Sequence, residues 1–100
     1  MPIYIVSVRR TEKGHQSLKE FSTVMERAAK IREAHGGKLI SAYATFGRFD
    51  FVAIMEFPNG TAMQRAMTTM LVEGLFTVEI SEAMPIDEFV AMLEEDETGK

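Results

Sequence analysis

The sequence has no cysteine and only three prolines among its 100 residues. The absence of cysteine excludes disulfide bonds, thiolate metal sites and a cysteine nucleophile, and it leaves the redox compartment open. Basic residues never form a run longer than Arg9-Arg10, and the net charge is −4. A protein that binds a nucleic-acid backbone needs a cationic footprint. We therefore expect no nucleic-acid partner.

Long apolar runs are also missing, since none approaches the ~20 residues of a membrane span. The first residues, "MPIYIVSVRR", lack the charged start and long apolar run of a signal peptide. A membrane location is not expected, and a cytoplasmic protein is the default. The length suits one domain, predicted over residues 1–95, followed by an acidic flexible tail at 96–100.

The apolar pattern predicts four strands and three helices. "PIYIVSV", "KLISAYATF", "FDFVAIMEF" and "LFTVEISEA" alternate or are β-branched, as in strands. Apolar residues recur at helical spacing from about Gln16 to His35, from about Thr61 to Leu71, and after Pro85. The order β-α-β-β-α-β predicts an α+β ferredoxin-like sandwich with an extra C-terminal helix. The expected strand order is 4-1-3-2.

The stretch "TFGRFDFVAIMEFP" predicts a two-residue hairpin at Gly47-Arg48. This register pairs Phe46 with Phe49 and continues outward to Leu39 with Glu56. Because side chains alternate, one face is wholly apolar and should lie under the helices. It carries Phe46, Phe49, Ala44, Phe51, Ala42, Ala53, Ile40 and Met55. The other face mixes polar and apolar residues: Thr45, Asp50, Tyr43, Val52, Ser41, Ile54, Leu39 and Glu56.

The mixed face contains too many apolar side chains to remain in water. The helices of one chain can cover only one side of a sheet, and contiguous apolar patches usually mark interfaces. A second copy, packed sheet against sheet in a twofold dimer, would cover them. We therefore expect the chain itself as the main partner, in a homodimer or a higher oligomer.

Three segments carry a family resemblance: "TEKGHQSLKE", "HGGKLISAYATFGRFDFVAIMEFPNGTA" and "GLFTVEISEAMPIDEF". Together they resemble the GYD domain family, whose usual Gly-any-Tyr-Asp motif stands here as Gly47-Arg48-Phe49-Asp50. The resemblance implies a dimeric α/β barrel, the fold of small monooxygenases and muconolactone isomerase. Phe49 lacks the phenolic hydroxyl of the motif, so a packing role is expected for it and proton transfer by this residue is excluded.

Asp50 is the strongest candidate for a catalytic residue. A carboxylate on a partly enclosed sheet face can be a general base with a raised pKa. The simpler alternative is that Asp50 accepts backbone N–H groups and fixes the turn. Tyr43, Glu56, Glu79 and Ser7 could project from the same side and orient a small ligand. They could equally form interface hydrogen bonds and a solvated rim.

The spacing of the two histidines does not indicate a metal site. A helix of about 20 residues would separate His15 from His35 by ~30 Å, too far for one ion. His35 suits a helix C-terminus, whereas His15 remains a weak candidate for a ligand site. Nothing in the sequence points to a cofactor.

Three functions stay open. The first is a small homo-oligomeric protein that binds a metabolite in a sheet-lined or sheet/helix cavity. The second is a cofactor-independent enzyme, similar to monooxygenases or isomerases, with Asp50 as base and Tyr43 as orienting group. The third is a structural assembly protein. Fold analogy alone supports the enzyme, and one fold hosts many functions.

Overall fold

The computed structural model describes residues 1–98 and shows a four-stranded antiparallel sheet with helices. The strands are β1 (Ile3–Arg10), β2 (Lys38–Ala44), β3 (Phe51–Glu56) and β4 (Phe76–Ala83). The helices are α1 (Glu12–Gln16), α2 (Phe21–Ala34), α3 (Gly60–Leu71) and α4 (Ile86–Thr98), with a 3₁₀ turn at Leu18–Glu20. The predicted acidic tail overlaps the end of α4, and residues 99–100 lie outside the described residues.

The order β2-β3-β1-β4 confirms the predicted ferredoxin-like arrangement, with β1 and β3 in the interior of the sheet. β1 pairs with β3 from Ile3–Glu56 to Val8–Phe51. It pairs with β4 from Ile3–Ala83 to Arg10–Phe76. The two central strands therefore align side chains across the full width of the sheet.

The core lies between the sheet and α3. Tyr4 and Val6 of β1, Ala53 and Met55 of β3, Phe57 after β3, and Ala66 and Met67 of α3 are all buried. α3 begins at Gly60, close to the predicted start at about Thr61, and Asn59 caps it, because its side chain accepts the Ala62 N–H at 2.8 Å. Its position over β1 and β3 fixes which sheet face is the covered one.

The predicted helix from Gln16 to His35 is wrong in its first part. The chain forms the short α1, then the 3₁₀ turn, and only then α2. Thr11 begins α1, since its hydroxyl accepts the Gly14 N–H at 3.1 Å and donates to the Gly74 carbonyl at 2.6 Å. The loop before β4 therefore holds α1 in place, and helical periodicity does not report such a contact.

The predicted hairpin register is correct from Ala44–Phe51 to Ser41–Ile54. Beyond Ser41 the register shifts, so Leu39 pairs with Met55 and Lys38 with Glu56. The predicted pairs Ile40–Met55 and Leu39–Glu56 are therefore wrong. The shift leaves Ile40 as an extra residue, as in a β-bulge.

The two-residue turn is also wrong, because β2 ends at Ala44 and residues 45–50 form a longer loop. The Thr45 N–H donates to the Asp50 carbonyl, and the Thr45 hydroxyl donates to the Phe49 carbonyl. Phe46 is fully exposed and Phe49 contacts arginines, so neither ring lies under the helices as predicted.

Candidate functional site

An apolar cavity of about 300 Å³ lies beneath α2. Within Phe21–Ala34, all of it described by the structure, no residue is buried, so this helix does not close tightly on the sheet. The lining from α2 includes Phe21, Val24, Met25, Ala28 and Ile31, and the lining from the sheet includes Val6, Val8, Leu39, Phe51, Met55 and Val78. A volume of this size is at the lower end of the range for small-molecule pockets.

Aromatic rings form one wall of this cavity. Phe21 of α2 stacks on Phe51 of β3 with ring centroids 5.1 Å apart, and Phe51 meets Phe76 of β4 edge to face at 6.4 Å. Such contacts hold rings in defined orientations. The cavity therefore has a rigid aromatic wall below the first turn of α2.

The sheet face opposite the helices carries most of the polar candidates. The strand registers align Tyr43, Val52, Ser7 and Glu79 in one row across all four strands. This alignment places Ser7, whose register the sequence could not define, directly between Val52 and Glu79. The neighbouring row aligns Ser41, Ile54, Ile5 and Ser81. We call these two rows the open face.

The loop between β2 and β3 is attached to the open face by arginines. The guanidinium groups of Arg9 and Arg48 each lie 5.5 Å from the centroid of the Phe49 ring. Arg9 Nε donates to the Arg48 carbonyl at 3.0 Å, and Arg48 Nη2 lies 3.5 Å from Glu79 Oε1. The Arg48–Glu79 pair is exposed and therefore adds little stability. It links the loop to Glu79 at one end of the row.

Asp50 lies at the end of β1, where its carboxylate accepts the Arg10 N–H at 2.8 Å and lies 3.4 Å from Arg10 Nη2. The hydrogen bond from the Arg10 backbone is the main cause that lowers the pKa of this carboxyl. The raised pKa expected for a general base is therefore wrong. Asp50 does accept a backbone N–H, but the donor belongs to β1 rather than to the turn.

The other two candidate residues lie apart from the row. Glu56 pairs with Ile3 at the far end of β3, and His15 belongs to α1, which contacts the loop before β4. Among the side chains that the structure describes, those of residues 1–96, no three His, Cys, Asp or Glu side chains come close enough together to hold a metal ion. In the same part of the chain, no helix combines the length and apolar composition that crossing a bilayer requires.

α4 presents an apolar stripe with little cover. Ile86, Phe89, Val90 and Leu93 recur at helical spacing and remain exposed, Ile86 at 70% of its surface.

The radius of gyration is 15.9 Å, against ~13 Å for a compact domain of this length. The molecule is elongated, with extents of 56 × 31 × 18 Å.

The sequence predicted a sheet-lined or sheet/helix cavity without its position or lining, and the buried tyrosine, Tyr4, was missed. Alternation along "IYIVSV" would have placed Tyr4 with Val6 on the covered face, where the structure has both. The cavity depends on how far α2 stands from the sheet, for which the sequence carries no signal.

Known proteins resemble this chain in sequence and in fold. The model of the GYD domain family matches residues 4–93. A protein of Thermus thermophilus named glutamine synthetase and cystathionine beta-lyase binding protein is 28% identical over 94 residues, covering 93% of this chain and 99% of that protein.

Two solved structures share the fold at low sequence identity. An AsnC family transcriptional regulator from Agrobacterium tumefaciens superposes with a TM-score of 0.62 at 18% identity, covering 84% of this chain and 50% of that one. A 5-chloro-2-hydroxyhydroquinone dehydrochlorinase from Burkholderia phenoliruptrix gives 0.59 at 14%, covering 84% and 94%. This chain therefore spans about half the length of the regulator.

Proposed function

The chain belongs to the GYD domain family, and from this premise we propose that it is a small homo-oligomeric binding protein. Its ligand is a small apolar or aromatic molecule held in the cavity beneath α2. The observation that carries the proposal is the cavity itself, about 300 Å³ with a predominantly apolar lining. The cavity is partly open to solvent, and an apolar ligand that fills it would remove the apolar lining from contact with water.

Two exposed apolar surfaces support self-association. The open face carries Ile5 on β1 and Val52 and Ile54 on the neighbouring β3, and the buried core of the described chain lies on the other side of the sheet. The stripe on α4 is a second surface of the same character. A second copy of the chain would cover both, whereas leaving them in water costs about 25 cal/mol per Å² of apolar surface.

Methionine methyl groups offer a direct test with toluene as the probe. Met25 and Met70 line the cavity, whereas Met84 and Met92 do not and are exposed. We expect toluene to shift the methyl NMR signals of the first pair saturably and to leave the second pair unchanged. Ala28→Leu, which adds three carbons to the lining, should weaken the binding.

The outcome for the four methyl signals decides the proposal. Equal shifts at all four would indicate nonspecific partitioning of toluene, and no shift at Met25 or Met70 would show that the cavity does not bind. Native mass spectrometry of the protein purified from its source would then report the number of subunits and the mass of any retained ligand together.

A second candidate function is binding to a metabolic enzyme. The observation that favours it is the similarity along 93% of the chain to the relative named for binding glutamine synthetase and cystathionine beta-lyase. Purified glutamine synthetase from the source organism, mixed with this protein, should give a co-eluting complex on a sizing column. Separate elution at concentrations of about 10 μM, where a typical specific complex forms, would contradict it.

The enzymatic alternative has less support. Asp50 is engaged by Arg10 and its pKa is lowered, which leaves a weak base. Tyr43 lies on β2 within the open-face row, whereas Asp50 precedes β3 and lies next to Arg10. The similarity to the dehydrochlorinase is at 14% identity and concerns the fold alone.

A further inference from the structure

Tyr4 carries a buried hydroxyl without a well-formed hydrogen bond in the described part of the chain. The residue is 2% exposed, and no described group has normal hydrogen-bond geometry to its hydroxyl, although the Glu82 carboxylate is near enough to affect its pKa. The ring is held edge to face against Phe57 with centroids 6.2 Å apart. Buried side-chain polar atoms nearly always have a partner, so an exception needs an explanation. A group from outside the chain would supply that partner.

An open groove of about 570 Å³ runs beside Tyr4, between α3 and β4. Glu82 of β4 is the register partner of Tyr4, so both side chains lie on the covered face of the sheet. On the helix side, Gln64 and Thr68 line the groove, four residues apart and therefore on one face of α3. Four polar side chains from three elements thus face a common space.

The charge of the groove selects the kind of ligand. Of the lining residues that the structure describes, Glu82 alone is charged, so the groove favours a cation. Burial, followed by the nearby Glu82 carboxylate, raises the pKa of Tyr4, so its hydroxyl stays protonated at neutral pH. The hydroxyl oxygen can then accept one hydrogen bond while the carboxylate accepts another. An ammonium group, with three N–H donors, matches this set.

Apolar residues complete the lining. Met63 and Leu71 of α3 and Ile80 of β4 flank the polar group. Gly60 lies close to the hydroxyl, since a Cβ at that position would stand 3.6 Å from it. The groove can therefore take a short hydrocarbon chain attached to the ammonium.

We propose that this groove binds a small organic ammonium ion with a short apolar chain, and that the Glu82 carboxylate and the Tyr4 hydroxyl hold the ammonium group. Neither residue lines the cavity beneath α2, so the groove is a second site. The two sites lie on either side of α3 and can be tested separately.

Butylammonium chloride is the probe, and the Met63 methyl group is the NMR reporter of the groove. We expect a saturable shift of the Met63 signal while the Met25 signal of the cavity stays unchanged. n-Butanol has the same chain without the charge and should bind about tenfold more weakly, since hydrogen bonds to charged groups are the stronger ones. Butyrate, which carries the opposite charge, should not bind.

Three variants assign the binding to the proposed groups. Glu82→Gln should weaken butylammonium binding about tenfold. Tyr4→Phe should weaken it several-fold without lowering the melting temperature, because it removes an unpaired hydroxyl. Glu26→Gln on α2 is the matched control. It removes the same charge, but Glu26 lines neither the groove nor the cavity, so this variant should bind butylammonium as the native protein does.

Four outcomes would overturn the proposal. The first is no Met63 shift at about 100 mM butylammonium, since one charge-assisted contact of about 2.7 kcal/mol already gives a Kd of about 10 mM. The second is equal affinity for butylammonium and n-butanol, and the third is unchanged affinity in Glu82→Gln. The fourth is a lower melting temperature for Tyr4→Phe, because that would reveal a partner for the hydroxyl within the chain. None of them bears on toluene binding beneath α2.

Discussion

At the scale of single residues, Asp50 links the β2–β3 loop to the end of β1. Its backbone N–H donates to the Val8 carbonyl at 2.9 Å, and its carboxylate accepts from Arg10. These contacts give the aspartate of the GYD motif a structural role in this chain, and no catalytic role is needed to explain it. The loop that carries Phe49 and Arg48 is positioned by these contacts.

Asp50→Asn tests this role through the pH dependence of stability. The amide can still accept the Arg10 N–H but loses the charge, so the melting temperature should fall by a few degrees at about pH 7. The folded-state pKa of Asp50 is lowered, so its contribution is present above the unfolded pKa and disappears as pH falls through the folded pKa. The difference from the native protein should therefore shrink as the pH falls below the unfolded pKa and vanish once the carboxyl is protonated in the folded protein as well. Circular dichroism melts across this range measure it.

A difference that grows on acidification would contradict the lowered pKa. If Asp50→Asn instead abolished toluene binding at unchanged stability, Asp50 would be a ligand contact rather than a structural one.

Gly14 is a second residue with a position-specific role. A Cβ at Gly14 would stand 2.0 Å from the Leu75 carbonyl oxygen, so Gly14→Ala must displace α1 from the loop before β4. We expect it to lower the free energy of unfolding by about 1–3 kcal/mol, as overpacking does. Gly60→Ala, also in a helix but with only an ordinary contact at 3.6 Å, should be neutral or stabilising by up to about 1 kcal/mol. Urea denaturation of both variants compares them, and equal losses would contradict this account.

At the scale of elements, the sequence predicted what depends on local pattern. Alternation placed all four strands, because apolar side chains on one face of a strand must be buried. The loop at residues 45–50 escaped prediction because its conformation depends on Val8, Arg9 and Arg10, about 40 residues earlier in the chain. A local turn signal at Gly47-Arg48 contains no information about those partners.

The sequence likewise predicted one part of the candidate site and not the other. Tyr43, Ser7 and Glu79 share a row because strand alternation and pairing order determine it. Asp50 lies outside that row because it precedes β3, and its carboxylate accepts the Arg10 N–H at the end of β1. The cavity beneath α2 could not be predicted, since it arises from the tilt and distance of a helix rather than from its composition.

A prediction at the scale of elements concerns α4 and the strength of self-association. Phe89→Ser combined with Leu93→Ser removes two exposed apolar side chains from the stripe, each worth about 1.5–3 kcal/mol when buried. If a second copy covers α4, the dimer dissociation constant should rise at least tenfold, which corresponds to about 1.4 kcal/mol. Sedimentation equilibrium measures the constant.

Val72→Ser is the matched control for α4, because Val72 is 79% exposed and lies outside both the stripe and the open face. It should leave the dissociation constant unchanged. An equal effect of the control and the α4 variant would indicate that general surface hydrophobicity, rather than the stripe, drives association.

At the scale of the whole molecule, the chain has a one-sided core. α3 and the sheet enclose the buried residues on the covered face, while the open face and α4 leave large apolar side chains exposed. A 100-residue chain buries a modest core at best. Association with a second copy would therefore add to the stability of the chain, and it would form the homo-oligomer proposed above.

The most direct measurement of this claim is sedimentation equilibrium of the native chain and of Ile54→Glu, which places a charge at the centre of the open face. At about 10 μM, well above the Kd of a stable dimer, the account predicts a native mass of twice the 11.2 kDa chain. It predicts a single folded chain for Ile54→Glu. A compact native protein of 11.2 kDa would contradict it, as would an Ile54→Glu variant that still sediments as a dimer.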